Sequence, residues 1–535
     1  MAAEHQDESA SVNHDLTVGI VGAGVMGAGI AQVAALAGHH VRIYDARPGS
    51  ANAAVIRITT AIDDFMQKRK GSPDKARSAK ERLSAVDSLN GLAHCGLIIE
   101  AIVEDLECKR TLFRELEKIA EPETIFATNT SSLSVTAIAA ALEHPQRLAG
   151  MHFFNPAAVM PLVEIIRGAA TAPEITTTLR ALAEHWGKTP VNALSTPGFI
   201  VNRVARPFYA EALRVLEERG ADCATIDAVM RDAGGFRMGP FELMDLIGND
   251  VNYVVTRSVF DAFYGDRRFT TSILQLELVQ AGYLGRKTGR GFYTYEAGEP
   301  VAAPSTAASC LAPAHVRICG ESPAAHALAD RLTESSTSFE RVLAHSDDRI
   351  AEWDGGALYR SDGRTATARA VATGEDNTIL MDLAFDDRTA TRAAIAIADQ
   401  ADPHALHAAI GLLQAAGYTV SVICDIPGMI VLRTLAMLAN IAADAVNEEV
   451  CSVDDLDLAM RKGMNYPRGP LEWADEIGLS NIVRALDHLG AAYGGDRYRV
   501  STLLRRKGLT NSGFTRQISG PLPAQRSAAC QTIRG

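Results

Sequence analysis

His152 and Glu164 are the residues best suited to chemistry in this chain. His152 opens the run His152-Phe153-Phe154-Asn155-Pro156, and Glu164 follows twelve residues later. The segments on either side, Arg147–Met151 and Leu162–Ile166, have the composition of short buried strands. A strand–loop–strand return would bring the two side chains together. An imidazole beside a carboxylate makes a general base near neutral pH, because the carboxylate fixes the tautomer and stabilises the imidazolium. The plain alternative is a core histidine bonded to backbone.

A second group of residues shifts that balance. Thr17–Val21 is a strand, followed by Gly22-Ala23-Gly24-Val25-Met26-Gly27 and a small-residue helix ending before Gly38. This is G-x-G-x-x-G between a strand and a helix. Gly22 makes the turn, Gly24 and the amides of Val25 and Met26 meet a pyrophosphate, and Gly27 packs helix on strand. Asp45 ends the next strand, eighteen residues after Gly27. An acid there accepts ribose hydroxyls and repels a 2′-phosphate, so NAD is favoured over NADP, with Arg47 a counterweight.

The elements that position these groups alternate strand and helix. Strands are predicted at 40–44, 95–102, 124–128, 148–154, 162–167 and 189–194, with a helix over 173–186. Residues 50–90 read as two helices. Lys68, Arg69, Lys70, Lys75, Arg77, Lys80 and Arg82 there form a basic face for a polyphosphate, or simply a solvated hairpin. Asn129-Thr130-Ser131-Ser132 ends a strand where open α/β sheets bind ligands, although Ser131 has the chemistry of a helix cap too. From Pro197 the pattern becomes helical, with one long helix predicted to about Gly220. Asn202 in its first turns is either a satisfied amide or a ligand contact.

Residues 297–315 read as an Ala/Pro/Ser linker, and 316–424 as a second α/β unit without the glycine fingerprint. A repeat follows. Pro427–Arg433 aligns with 197–203, Gly469-Pro470 with Gly239-Pro240, and Ile477-Gly478 with Ile247-Gly248, all at one constant offset along the chain. Leu432 stands where the first copy has Asn202. The expected architecture is therefore an α/β Rossmann-type NAD-binding domain (15–195) and an all-α domain (196–296), then a degenerate α/β domain (316–424), a second, duplicated all-α domain (425–515) and a loose tail (516–535).

Composition narrows the function. In 535 residues, 47% are hydrophobic and 22% charged, as in soluble globular proteins. The net charge of −12 argues against nucleic acid as a partner. No apolar run is long enough to cross a bilayer, and residues 1–14 lack a signal core, so no membrane partner is expected. The eight cysteines form no C-x-x-C pair, so no metal is expected and a reducing cytoplasm is the default.

These motifs, together with Glu100-Ala101-Ile102-Val103-Glu104 and Pro197–Arg203, resemble the 3-hydroxyacyl-CoA dehydrogenase family in its long form with two carboxyl-terminal helical domains. The resemblance covers nearly the whole chain. It implies NAD-dependent oxidation of a 3-hydroxyacyl-CoA, with His152 as base, Glu164 as its partner, and Ser131 and Asn202 holding substrate. It further implies NAD contacts at Asp45, Glu104, Lys109, Ser131, Asn155 and Lys287, and coenzyme A contacts at Lys68 and Ser131. The 3-hydroxyadipyl thioester of phenylacetate breakdown is the foremost substrate; butyryl or longer chains are alternatives. Ala158 and Pro161 depart from the family's common Pro and Lys, which bears on the shape of the loop between base and acid. Two rivals remain. A β-hydroxyacid dehydrogenase would need a lysine base near Asn202. A non-catalytic structural protein on the same fold would tolerate loss of His152 or Glu164. The duplication implies an internal pseudo-dimer of helical domains, as a monomer or a further homo-oligomer.

Overall fold

A computed structural model describes residues 16–68, 72–296, 299–300, 302–343, 348–510 and 512–514. The predicted tail, the polar amino-terminal segment and Arg69 and Lys70 lie outside these residues. The first unit is an eight-stranded sheet: β1 (Val18–Val21), β2 (Val41–Tyr44), β3 (Leu83–Ala85), β4 (Leu97–Glu100), β5 (Ile125–Thr128), β6 (Leu148–Phe153), β7 (Leu162–Arg167) and β8 (Thr189–Leu194). Their spatial order is β3-β2-β1-β4-β5-β6-β7-β8, and every pairing is parallel except β6 with β7. This is the doubly wound order, whose crevice lies outside the carboxyl ends of the strands. Helices α1 (Val25–Ala37), α2 (Ser50–Lys68), α3 (Pro73–Glu81), α4 (Leu106–Ile119), α5 (Val135–Ala139) and α6 (Pro173–His185) cover it. The short β3 was not expected; its three residues pair beside β2 at the sheet edge, too few for a period to show.

The first helical unit comprises α7 (Val201–Val204), α8 (Arg206–Glu217), α9 (Cys223–Asp232), α10 (Pro240–Ile247), α11 (Asn249–Ala262) and α12 (Ile273–Gln280). The single long helix expected from Pro197 is in fact two: it begins at Val201 and is interrupted at Ala205, ahead of Pro207, which has no amide to donate. After a two-residue strand pair, β9 (Tyr295–Glu296) with β10 (Glu299–Pro300), the expected linker runs on as a pinned strap. Ala307 N donates to Val420 O, and Ser421 Oγ to Ser305 O.

The second sheet holds β11 (Val316–Cys319), β12 (Glu340–Val342), β13 (Arg349–Trp353), β14 (Gly356–Arg360), β15 (Thr378–Met381), β16 (Arg392–Ile397) and β17 (Thr419–Val422). Helices α13 (Pro323–Glu334), α14 (Ala366–Thr373) and α15 (Pro403–Ala415) pack on it. The parallel–antiparallel–parallel run from β14 to β17 repeats that from β5 to β8. The duplication therefore begins inside the sheet, upstream of where the sequence shows it. The hairpin β13–β14 replaces nucleotide-binding elements and went unpredicted, because its alternation is broken by charged Arg349 and Glu352, which pair with each other.

The last unit is α16 (Val431–Asn447), α17 (Val453–Gly463), α18 (Pro470–Ile477), α19 (Leu479–Tyr493) and α20 (Thr502–Thr510). It docks on its counterpart about a pseudo-twofold axis. Arg203 pairs with Glu448 at 2.8 Å, and Arg433 with Glu218 at 3.0 Å. Leu194 N donates to Val450 O, and Cys424 N to Gly220 O. Each contact is the other shifted by the repeat offset at both ends, which defines an isologous interface within one chain. One apolar core, including Phe208, Met230, Ile441 and Leu471, runs across this seam. A second, with Ile20, Ile30 and Ile58, lies under α1, α2 and α6.

Candidate active site

The cradle forms first. Gly22 has φ +104°, and a Cβ there would stand 2.5 Å from Ala101 O. Only glycine fits. A Cβ on Gly27 would strike Gly22 O. Around Gly24, by contrast, the space is open, and Val25 beside it is exposed. That open space lies at the amino terminus of α1, where unpaired amides and the helix dipole suit a pyrophosphate. Asp45 closes the cradle: Ala23 N donates to Oδ2 at 2.8 Å and Arg47 N to Oδ1 at 2.9 Å. Burial alone would raise this carboxyl, but those donors and the Arg47 charge outweigh it and lower its pKa. These residues fit a dinucleotide with a free ribose diol.

His152 and Glu164 stand directly opposite each other in the β6–β7 ladder. The twelve-residue spacing is therefore a cross-strand pair whose intervening loop is 154–161. His152 Nδ1 lies 2.6 Å from Glu164 Oε2, and both residues are buried. With Glu164 ionised the shared proton sits on Nδ1, leaving Nε2 as the acceptor. Glu164 has a second task. Its Oε1 accepts from Ile200 N and Val201 N, both at 3.0 Å, where α7 begins. One carboxylate thus fixes the imidazole and joins sheet to helical unit. Phe154 packs its ring 4.5 Å from that of His152.

Asn202 follows at once on α7, and its Nδ2 donates to Ser131 O at 3.4 Å. The loop carrying Ser131 is gathered by Glu104. Thr130 Oγ1, Ser131 N and Ser132 N reach its Oε1 at 2.7, 2.9 and 3.0 Å. Burial would raise this carboxyl, but the Lys109 ammonium and these donors pull it down to about 2. Ser131 does not cap α5; Ser134 does, accepting from Ala137 N, because it sits one residue ahead of the helix. Lys109 is buried, 2.5 Å from Glu100 and 3.3 Å from Glu104. Its ammonium is committed to holding that pair.

The structure thus brings His152, Glu164, Ser131 and Asn202 together and places Glu104 behind Ser131. Asn155 is exposed on the loop after His152. Lys287 Nζ bonds Asp250 at 2.6 Å on the helical unit, and Lys68 is exposed at the end of α2. Two supporting residues stood in quoted motifs without a role, and a third, Lys188, escaped the sequence reading. Asn129 Oδ1 accepts from Phe153 N at 2.8 Å, steadying the strand of the base. Glu100 is buried beneath the loop and accepts from Thr128 Oγ1 and Ile102 N. Lys188 donates to Ala157 O and Met160 O, fixing the loop between base and acid despite the substitutions at 158 and 161. Position at strand ends was the only signal for the first two; nothing local marked Lys188.

Among the described residues no helix is long and apolar enough to cross a membrane, and no group of three His, Cys, Asp or Glu is set to hold a metal.

Comparison with known proteins agrees with this geometry. Residues 17–196 match the NAD-binding domain of 3-hydroxyacyl-CoA dehydrogenase, residues 198–295 and 428–516 its C-terminal domain, and residues 358–427 the reduced Rossmann-fold domain of 3-hydroxybutyryl-CoA dehydrogenase. The chain is 42% identical to the 3-hydroxyadipyl-CoA dehydrogenase of Escherichia coli K12 over 93% of its length and 98% of the relative's. It is 43% identical to a probable 3-hydroxybutyryl-CoA dehydrogenase of Bacillus subtilis over 52% of its length and 96% of the relative's. The solved structure of 3-hydroxybutyryl-CoA dehydrogenase from E. coli K12 superposes with a TM-score of 0.83 at 42% identity, covering 93% of this chain and 99% of that one. With its dinucleotide cradle and its paired histidine and glutamate, the chain belongs to the 3-hydroxyacyl-CoA dehydrogenase family and is an NAD-dependent oxidoreductase.

Proposed function

We propose that the substrate is (S)-3-hydroxyadipyl-CoA, oxidised reversibly to the 3-oxo thioester, with His152 as base. NAD, when bound, supplies the hydride acceptor. The chain's own residues do the rest. His152 Nε2 takes the hydroxyl proton, and Glu164 stabilises the imidazolium across the 2.6 Å contact. Ser131 and Asn202 hold the substrate oxygens, a contribution of positioning. Phe154 and Phe199 shield the imidazole from water. Gly22, Gly24, Gly27 and Asp45 seat the cofactor, and the basic face around Lys68 attracts coenzyme A phosphates.

The observation that carries this reading is the buried His152–Glu164 pair. A purely structural protein has no need to bury an imidazole and a carboxylate together. The rival lysine base is not supported, since the polar residue at the start of α7 is Asn202. A 3-hydroxybutyryl substrate is the second reading, favoured by the naming of the superposed E. coli structure. The test is NADH formation with 3-hydroxyacyl-CoAs of four and six carbons, with and without a terminal carboxylate. Preference for the six-carbon diacid supports the first reading, and preference for the butyryl thioester the second.

A further inference from the structure

Arg206 is a buried cation without an acid. It lies four residues beyond Asn202, across the break at Ala205, and is 4% exposed. Among the described residues no carboxylate pairs with it: Nη1 donates to Thr256 Oγ1 at 3.0 Å, and Nε has no partner. The guanidinium lies 5.0 Å from the Tyr209 ring. Burial lowers its pKa, with only the tyrosines 209 and 466 opposing the shift. Tyr466 comes from the second helical unit, and its own hydroxyl is buried without a partner. The buried arginines of the seam, Arg433 and Arg497, each have a carboxylate. A desolvated charge with no counter-charge is costly, so its presence calls for a reason.

The duplicated half supplies a control. Asn202, Arg206 and Tyr209 form one stripe at i, i+4 and i+7. At the equivalent positions of the repeat stand Leu432, Ala436 and Ala439, all buried, and Leu486 stands for Thr256. The same fold, without the catalytic pair, packs this stripe with apolar side chains. Nothing in the architecture demands an arginine there. The polar stripe accompanies the site.

We infer that Arg206 binds the far carboxylate of a dicarboxylic acyl chain and so sets the specificity of the dehydrogenase. This rests on the substrate reading above. The length fits. In a six-carbon diacid the far carboxyl carbon lies three bonds beyond C3, about 4 Å away. One helical turn advances about 5.4 Å, and side chains lean toward the helix amino terminus, here toward Asn202. Beside Arg206 is a void of about 20 Å³, lined also by Tyr209, Arg214, Glu217, Thr256, Gln275 and Arg497, which holds one group of water size. Glu217 accepts from Ser272 Oγ at 2.7 Å and makes no ion pair with Arg206. Bidentate contact with a carboxylate would satisfy the guanidinium, and Tyr466 lies close enough to make the second half of the chain part of the specificity pocket.

The experiment compares 3-hydroxyadipyl-CoA with 3-hydroxyhexanoyl-CoA, which has the same length and no carboxylate, on wild type, Arg206→Met, Arg206→Ala and Arg206→Lys. In the wild type the ratio of kcat/KM should favour the diacid by about 10- to 100-fold, the size of a charged hydrogen bond. Met and Ala should bring the ratio near one, chiefly through the KM of the diacid, and Lys should keep part of it. Ala is the residue the second half carries at this place, so it serves if Met does not fold. A variant that retains the wild-type ratio, or loses both substrates equally, overturns the role of Arg206. A wild type that oxidises both chains equally also overturns it and leaves the dehydrogenase chemistry standing. A wild type that oxidises neither overturns the reaction reading itself.

Discussion

Asp382 is the counterpart of His152, at the same place in the repeated sheet, and does the anchoring work of Glu164. Its Oδ2 accepts from Ile430 N at 2.9 Å and Val431 N at 2.7 Å, the counterparts of the two amides held by Glu164. Ala394 occupies the position of Glu164 itself. The fold needs one carboxylate to hold the helix that follows the sheet. It does not need the histidine. Where the histidine is absent, the acid moves across to the neighbouring strand and the helix is still anchored. Packing alone thus does not account for His152 in the first half, in keeping with its proposed role as base.

His152→Gln tests this. The amide can still bond Glu164, so the ladder and the helix anchor survive. Loss of the general base should lower kcat by about 10²- to 10⁴-fold while the Kd for NAD stays near the wild-type value. Stopped-flow turnover and calorimetric titration check the two halves of the statement. Full activity in the variant contradicts the assignment of the base.

Glu164 separates its two tasks by substitution. Glu164→Gln keeps a carbonyl oxygen for Ile200 N and Val201 N but lacks the charge that stabilises the imidazolium. Its kcat should fall by about 10²-fold or more with the thermal midpoint little changed. Glu164→Ala should lose activity and also stability, because two buried amides go unpaired at about 1–3 kcal/mol each. Equal midpoints for Gln and Ala would show that the anchor carries no weight.

Much of this site was legible from residue types. The glycine fingerprint demanded its turn because Gly22 and Gly27 admit no Cβ, and the His152–Glu164 pairing followed from two strands and a loop. The helical repeat was visible because Gly-Pro starts and Gly stops recur at a fixed offset. Less legible were breaks in the local pattern and interactions set by tertiary packing. The break at Ala205 turns on the single missing amide of Pro207, and the hairpin β13–β14 is masked by the charged Arg349 and Glu352 within it. The repeat of β14–β17 is hidden because its exposed and loop residues have diverged while only the strand pattern persists. Arg206 reads as an ordinary helical arginine until the structure shows it buried with no acid among the described residues paired to it.

Asp45→Ala should weaken NAD binding and reduce the preference for NAD over NADP. The carboxylate, kept ionised by the Ala23 and Arg47 amides, is what a 2′-phosphate would meet. Removing it leaves the Arg47 guanidinium beside the same position. Initial rates with both cofactors give the ratio. A wild type that already prefers NADP contradicts the reading.

Asn202→Leu copies the second half into the first. It removes the contact with Ser131 and the amide proposed to hold substrate, so kcat/KM should fall by about 10-fold or more. The reciprocal Leu432→Asn places an amide in a buried apolar position, costing about 1–3 kcal/mol of stability without creating activity. Turnover and thermal midpoints of the two variants make the comparison. One NAD per chain is the expected stoichiometry for both, since the second sheet unit has no glycine cradle.

Acid should open the seam between the halves. Glu211 is buried and accepts from Arg433 Nε and Arg497 Nη2, each at 2.8 Å, and from the Tyr498 hydroxyl at 2.9 Å. Burial would raise its carboxyl, but Arg497, Arg433 and Arg214 outweigh it and hold it at about 2, against 4.5 unperturbed. Between those values the unfolded chain binds the proton and the folded chain does not, so stability rises with pH across that window. The contribution is complete above about pH 4.5 and is lost as pH falls through about 2. A shift of this size corresponds to about 3 kcal/mol. Glu211→Gln should lower stability at pH 7 by about 3–5 kcal/mol, because the buried Arg497 loses its counter-charge and Arg433 keeps only Glu218. Its thermal midpoint should then fall less steeply than that of the wild type between pH 5 and pH 2.5. Scanning calorimetry across that range decides it: parallel acid limbs for the two proteins would mean that Glu211 is not the group whose protonation loosens the interface.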